Sequence, residues 1–150
     1  MRRRAMLVGA VALAAVVVAG CGERPQTSTD GKGSDKLRIG IVAKSLGNGF
    51  FDAVHKGADE AAATLDAEII FTGPTTPTAE GQIETLNALI AQRVDAIAIS
   101  ANDPDAVVPT LQRAMQRGIK VVSYDSAVAK AGRAVHLAPS SDELIGQTVA

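Results

Sequence analysis

The sequence predicts an α/β fold: a doubly wound parallel sheet with helices on both faces. Three observations lead there. From Leu37 onward, short apolar runs alternate with stretches of helical period. The junctions between them carry residues that start and stop such elements. No segment repeats at the roughly 20–50 residue period that marks a solenoid. Strands that alternate with helices are joined by crossovers, which sets neighbouring strands parallel and puts helices on the sheet faces. With 150 residues, 47% of them apolar, the chain can bury the core of one domain.

The first twenty residues belong to a different class. Arg2, Arg3 and Arg4 form a positive start, and Met6 to Ala19 is an unbroken run of small and aliphatic residues. The run is shorter than the roughly 20 residues that span a bilayer comfortably, so it reads as an export signal over residues 1–20 and not as a membrane helix. It ends in Val18-Ala19-Gly20-Cys21, and Cys21 is the sole cysteine. An exported protein with one cysteine has no internal disulfide to form, so the thiol needs another role. Residues 21–36 are polar and rich in Gly, Ser, Thr and Asp, a composition that cannot bury a core and reads as a tether.

Leu37, Ile39, Ile41 and Ala43 mark the first strand, and Phe51, Val54, Ala58, Ala61 and Leu65 recur at the spacing of one helical face. Glu68 to Thr72 is the second strand. After the loop Gly73-Pro74-Thr75-Thr76-Pro77, with Pro77 expected in the first helical turn, comes a helix carrying Ile83, Leu86 and Ile90. Ala96 to Ser100 is the third strand. Asp103-Pro104 predicts a helix start, with Val107, Leu111 and Met115 facing the core, a slight bend at Pro109 and a stop at Gly118. Ile119 to Tyr124 and Ala134 to Leu137 complete the strands, and Ser140-Ser141-Asp142-Glu143 reads as a capping box opening a further helix, without a stop signal before Ala150.

In open parallel sheets ligands bind beyond the carboxyl ends of the strands, beside the point where strand order reverses. The loops at those ends hold Lys44, Asn48, Phe50 and Phe51, then Asn102 and Asp103, then Tyr124, Asp125 and Ser126. Carboxylates and amides hydrogen-bond paired hydroxyls, and ring faces cover the C–H patches of a sugar. Three of the chain's few aromatics, Phe50, Phe51 and Tyr124, fall at these ends. Core packing competes for Phe51, and turn or cap duty competes for Asn102 and Asp103.

A net charge of −1, mixed along the chain, supplies no electrostatic basis for binding nucleic acid. His55 and His136 have no second His or Cys in ligand spacing, so neither reads as a metal ligand. Gly47-Asn48-Gly49 follows a strand as a dinucleotide fingerprint would, but Asp52 stands where the third glycine belongs. No Walker-type loop or nucleophile elbow occurs, and a pairing of Asp125 with His136 has no nucleophile beside it. No cofactor is implied, and an enzyme is the minority reading.

Val18 to Cys21 resembles a bacterial lipobox, in which the cysteine becomes the lipidated N-terminus and holds the protein at the extracytoplasmic face of the cell membrane. Leu46-Gly47-Asn48-Gly49-Phe50-Phe51, Thr72-Gly73-Pro74-Thr75-Thr76-Pro77-Thr78, Ser100-Ala101-Asn102-Asp103-Pro104-Asp105 and Tyr124-Asp125-Ser126 together resemble periplasmic sugar-binding proteins of ABC transporters. Within that family they are most similar to the rhamnose-binding branch and its autoinducer-2-binding sister. The resemblance implies two lobes that close around one sugar and then dock on permease subunits. Carried over by position, Lys44, Asn48, Phe50, Phe51, Asn102 or Asp103, Asp125 and Ser126 line the ligand. Ribose-binding relatives often have an arginine after the aspartate matching Asp125; Ser126 stands there instead, which points away from ribose. On this reading residues 37–138 are the first sugar-binding lobe, residues 139–150 are the crossing into a second lobe, and that second lobe is absent from this chain.

Overall fold

A computed structural model describes residues 36–149; the predicted export signal, Cys21 and all of the tether before Lys36 lie outside the described residues. The elements run β1 (Leu37–Val42), α1 (Gly49–Leu65), β2 (Ala67–Thr72), α2 (Ala79–Ala91), β3 (Ala96–Ile99), α3 (Val108–Gln116), β4 (Lys120–Tyr124), a single 3₁₀ turn (Lys130–Gly132), β5 (Val135–Leu137) and α4 (Asp142–Val149). Every strand pair is parallel and the order is β2-β1-β3-β4-β5. The chain therefore moves outward from β1 to β2, then returns to build β3 on the other side of β1. That reversal between β1 and β3 is the switch point the doubly wound reading predicts.

Strand alternation decides which helix covers which face. Ile41 pairs in register with Phe71, and Gly40 with Ile70. Phe71 stacks on His55 of α1, while an atom at the Cβ position of Gly40 would lie 2.6 Å from Leu89 of α2. So α1 lies on the Ile41 face and α2 on the Gly40 face. The missing side chain at Gly40 lets α2 sit directly on the sheet. On that face Val42, Leu86, Leu89, Ile97, Ile99, Leu111 and Val121 form the core with almost no exposure. On the opposite face Val135 and Leu137 of β5 are exposed, and α4 buries no residue.

Several local expectations are corrected. Helix α1 buries Phe51 and Ala62, whereas Ala61 and Leu65 are exposed, so the apolar stripe follows 51-54-58-62. Pro77 precedes the N-cap of α2: Thr78 is the cap, its hydroxyl accepting from Gly81 N at 3.1 Å. Asp103 and Pro104 open a turn, not α3. The helix begins at Val108 with Pro109 in its first turn, and no bend is needed there. The reason is covalent: Pro109 has no N–H to donate to Asp105 O, so a regular ladder cannot run from Pro104 through it. Val108 N bonds Asp105 O instead, and the i−4 ladder starts with Leu111 N to Val107 O. Ser140 and Glu143 do not form a capping box; Ser141 Oγ takes Leu144 N at 3.1 Å and is itself the cap. Gly118, with φ +85, does follow the end of α3 as expected of a helix stop.

Candidate functional site

The carboxyl ends of β1, β3 and β4 lie side by side, and each opens into a short loop. Ladder pairing between β1 and β3 ends at Val42 opposite Ile99. Past that point the chains diverge and their backbone groups need other partners. After β1, Gly47 at φ +76 turns the chain so that Asn48 can cap α1, its Oδ1 accepting from Phe50 N at 2.9 Å. After β3, Asp103 Oδ1 accepts from Asp105 N at 2.9 Å and Ala106 N at 2.8 Å. Those two bonds, Ala106 first, hold the Asp103 carboxyl below the usual carboxylate range.

The loop after β4 is held in an unusual way. Asp125 has φ 53, the left-handed region that few residues other than glycine adopt. Its Oδ2 accepts from the hydroxyl of fully buried Ser100 at 2.7 Å, and its amide donates to Leu137 O at 3.2 Å. Backbone strain of this kind is retained where surrounding contacts over-determine it, often at functional positions.

One buried side chain joins the loops. Gln82 of α2 donates through Nε2 to Ala43 O at 3.0 Å and to Ser100 O at 2.7 Å, and its Oε1 accepts from Asn102 N at 2.8 Å. Asn102 continues the chain, its Nδ2 donating to Lys44 O at 2.9 Å and Thr78 O at 3.3 Å. Hydrogen bonds thus run from Asp125 through Ser100, Gln82 and Asn102 to Lys44.

Three of the four aromatic residues meet where α1 starts and β4 ends. Phe50 and Phe51 are edge-on with centroids 5.1 Å apart, and Phe51 is edge-on to Tyr124 at 6.4 Å. Phe51 is 4% exposed and Phe50 48%, so Phe51 is the packed member and Phe50 the accessible ring. Tyr124 Oη donates to Val42 O at 3.3 Å. Burial first, and the neighbouring Asp125 charge second, push its phenol well above the ordinary tyrosine value.

All eight residues singled out in the sequence sit at this edge of the sheet, on the loops after β1, β3 and β4 or, for Phe50 and Phe51, in the first turn of α1. Their hydrogen-bonding capacity differs. Asn48 and Asp103 cap their own turns, and Asn102 uses both amide hydrogens on backbone carbonyls. Lys44 is half-buried, and its ammonium makes no hydrogen bond or ion pair among the described residues. His136 bonds Ser123 through Nδ1 at 2.9 Å, and His55 faces Asp59 at 3.4 Å. The imagined Asp125–His136 pair is not formed. Sequence reasoning has no place for Gln82 and gives Ser100 only as the end of the third strand and the start of its motif, with no role of its own. A signal existed for Gln82: it lies on the same line of α2 as Leu86, Leu89 and Ile90, a polar residue in a core-facing stripe. Chemically, the edge offers a carboxylate, an ammonium and an exposed ring, the groups that grip a small polyhydroxylated molecule.

Residues 39–150 match the model of the periplasmic binding protein domain family. Among curated proteins, the D-ribose/D-allose-binding protein of Pseudomonas aeruginosa is 33% identical over 76% of this chain and 37% of its own length. Among solved structures, an ABC transporter solute binding protein from Clostridium phytofermentas with bound L-rhamnose is 34% identical with a TM-score of 0.73, over 77% of this chain and 36% of that one. LsrB from Clostridium saccharobutylicum in complex with AI-2 is 26% identical with a TM-score of 0.72, over 75% and 35%. The chain therefore spans well under half the length of the proteins it matches.

Proposed function

This chain belongs to the periplasmic binding protein domain family, and on that premise we propose that it is the sugar-capturing part of an ABC importer, with no catalytic activity of its own. The observation that carries the reading is the common edge formed by three strand-end loops, where Asp125, Lys44 and Phe50 sit beside the β1/β3 switch point. In this reading Lys44, Asn48, Phe50, Phe51, Asn102, Asp103, Asp125 and Ser126 surround one face of a monosaccharide, and a second lobe supplies the other face. Cys21 carries the lipid that holds the protein at the extracytoplasmic face of the membrane, and permease subunits receive the loaded form.

We take L-rhamnose as the ligand. Similarity to the rhamnose-bound Clostridium phytofermentas protein supports it, as does Ser126 in place of an arginine. The matched proteins carry different ligands in their names, and similarity to the AI-2-bound protein supports a second reading, capture of that furanose-type signal on the same fold.

Calorimetric titration of the protein as expressed by its host, against L-rhamnose, D-ribose, D-allose and AI-2, tests both. Saturable heat with rhamnose alone supports the first reading, and heat with AI-2 alone supports the second. Heat with none of them removes the sugar-capture proposal. Mass spectrometry of the membrane-associated protein reads the lipid on Cys21 directly, and an unmodified thiol there rules out the anchor.

A further inference from the structure

Where β1 and β3 part, the sheet ladder can no longer pair the backbone, and a side chain does so instead. Gln82 has no exposed surface and makes three hydrogen bonds, all to backbone groups of the two diverging loops: Ala43 O, Ser100 O and Asn102 N. That position needs two donors and one acceptor at the tip of one side chain. A primary amide supplies both, whereas an ionised carboxylate has no donor and an ammonium or guanidinium has no acceptor.

We propose that Gln82 is the positioning residue of the site, setting the spacing of the loops after β1 and β3. Through Ser100 it also sets the placement of the Asp125 carboxylate. Its effect on sugar affinity rests on the sugar-capture reading; its effect on the loops rests on the geometry alone. Each bond ends on a group adjoining a candidate ligand contact: Ala43 precedes Lys44, Ser100 holds Asp125 at 2.7 Å, and Asn102 is itself a candidate. Asn102 then ties Lys44 O and Thr78 O to the same point. Loss of the amide leaves buried backbone groups without partners, and they regain them only by opening the loops to water. Affinity falls by the fraction of molecules whose loops remain closed.

The test uses the full chain with Gln82→Met, which keeps length and apolar volume, and Gln82→Glu, which keeps the acceptor but loses both donors when ionised. Amide hydrogen exchange is measured at Ala101, Asn102 and Ser126, with Ile97 and Val121 as core references. In Gln82→Met the loop amides exchange about 10-fold faster or more, while the core amides hold within about 3-fold. In Gln82→Glu the same acceleration eases in part, relative to wild type at the same pH, as pH falls and the buried carboxyl takes up a proton, because the protonated acid regains one of the two donors. Gln82→Met shows no such recovery. Titration of the protein as expressed by its host with L-rhamnose and D-ribose then shows affinity about 10-fold weaker in Gln82→Met.

Unchanged loop exchange in Gln82→Met overturns the positioning role. Equal acceleration of loop and core amides, or loss of folding by both variants at every pH, overturns it as well, since Gln82 would then hold up the whole fold. Loosened loops with wild-type sugar affinity overturn the link to binding. Should the wild type bind neither sugar, affinity is read with D-allose and AI-2 instead; if it binds none of the four, the sugar-capture reading fails, and the exchange result still decides the loop geometry.

Discussion

Replacing Asp125 separates what its carboxylate does for the fold from what it does for a ligand. In the fold it accepts one bond from Ser100 Oγ at 2.7 Å and occupies φ 53, a conformation that aspartate and asparagine tolerate better than alanine. Asp125→Asn keeps a side-chain acceptor for Ser100 and keeps that tolerance, so stability should change by no more than about 0.5 kcal/mol. Asp125→Ala loses both. A bond to a charged acceptor contributes about 1.5–3 kcal/mol when well desolvated, less at a half-buried carboxylate, and the left-handed backbone adds about 1 kcal/mol, so a loss of about 2 kcal/mol is expected. Affinity follows a different order. With Oδ2 bound to Ser100, Oδ1 is left for a sugar hydroxyl if Asp125 is a ligand contact, and removal of the charge should then weaken that bond by about 1–2 kcal/mol. That corresponds to about 5–30-fold for Asn and at least as much for Ala. Urea unfolding and calorimetric titration with L-rhamnose on the same preparations read the two effects. Wild-type affinity in Asp125→Asn and Asp125→Ala, alongside the expected stability loss in Ala, would falsify the ligand role and leave Asp125 a turn residue.

Four further outcomes are expected. Tyr124 is the sole tyrosine, so phenolate absorbance reads it without ambiguity. Because its folded value is raised, its contribution to stability is fully present below about pH 10 and is lost as pH climbs beyond, so phenolate should appear together with unfolding; phenolate forming in the intact fold would contradict the buried bond to Val42 O. The Asp103 turn behaves in the opposite sense. Its lowered carboxyl favours the folded turn above the ordinary carboxylate range, and the turn loosens as pH falls through the lowered value; the Ala106 amide resonance should report this in wild type and lose its acid titration in Asp103→Asn. Gly40→Ala should destabilise by about 1–3 kcal/mol in urea, since its Cβ meets Leu89, itself 1% exposed. Gly57→Ala on the open side of α1 should stabilise by about 0.5–1 kcal/mol.

The sheet was legible because its strands read as short apolar runs: Ile97 and Ile99 in β3, and Val121 in β4, bury on the face that α2 covers. Helix starts were less so, because Pro, Ser, Thr and Asp carry start signals at several neighbouring positions and only the hydrogen bonds choose among them. Thr78 outcompetes Pro77, Ser141 outcompetes Ser140, and Pro109 displaces the start implied by Asp103. At the site, the loops were legible from the strand-end rule, and their exposed residues from chemistry. Gln82 was hidden because a glutamine reads as solvated even within a core-facing stripe, until the helix is docked and its amide meets Ala43 O and Ser100 O.

The same contrast explains which candidate residues remain for a ligand. Side chains whose donors end on backbone carbonyls are already committed: Gln82 to Ala43 O and Ser100 O, Asn102 to Lys44 O and Thr78 O, Tyr124 to Val42 O. Opening any of these to grip a ligand would expose a carbonyl that has lost its partner, so each gain would be offset by a loss inside the protein. Lys44, the second carboxylate oxygen of Asp125 and the accessible ring of Phe50 carry no such commitment among the described residues. A cation on the loop after β1, an anion on the loop after β4 and an apolar plane at the start of α1 suit a molecule with hydroxyls on its rim and C–H bonds on its face. Specificity among such molecules then depends on where the network places these groups, which is why the buried amide of Gln82 bears on binding as directly as the residues in contact.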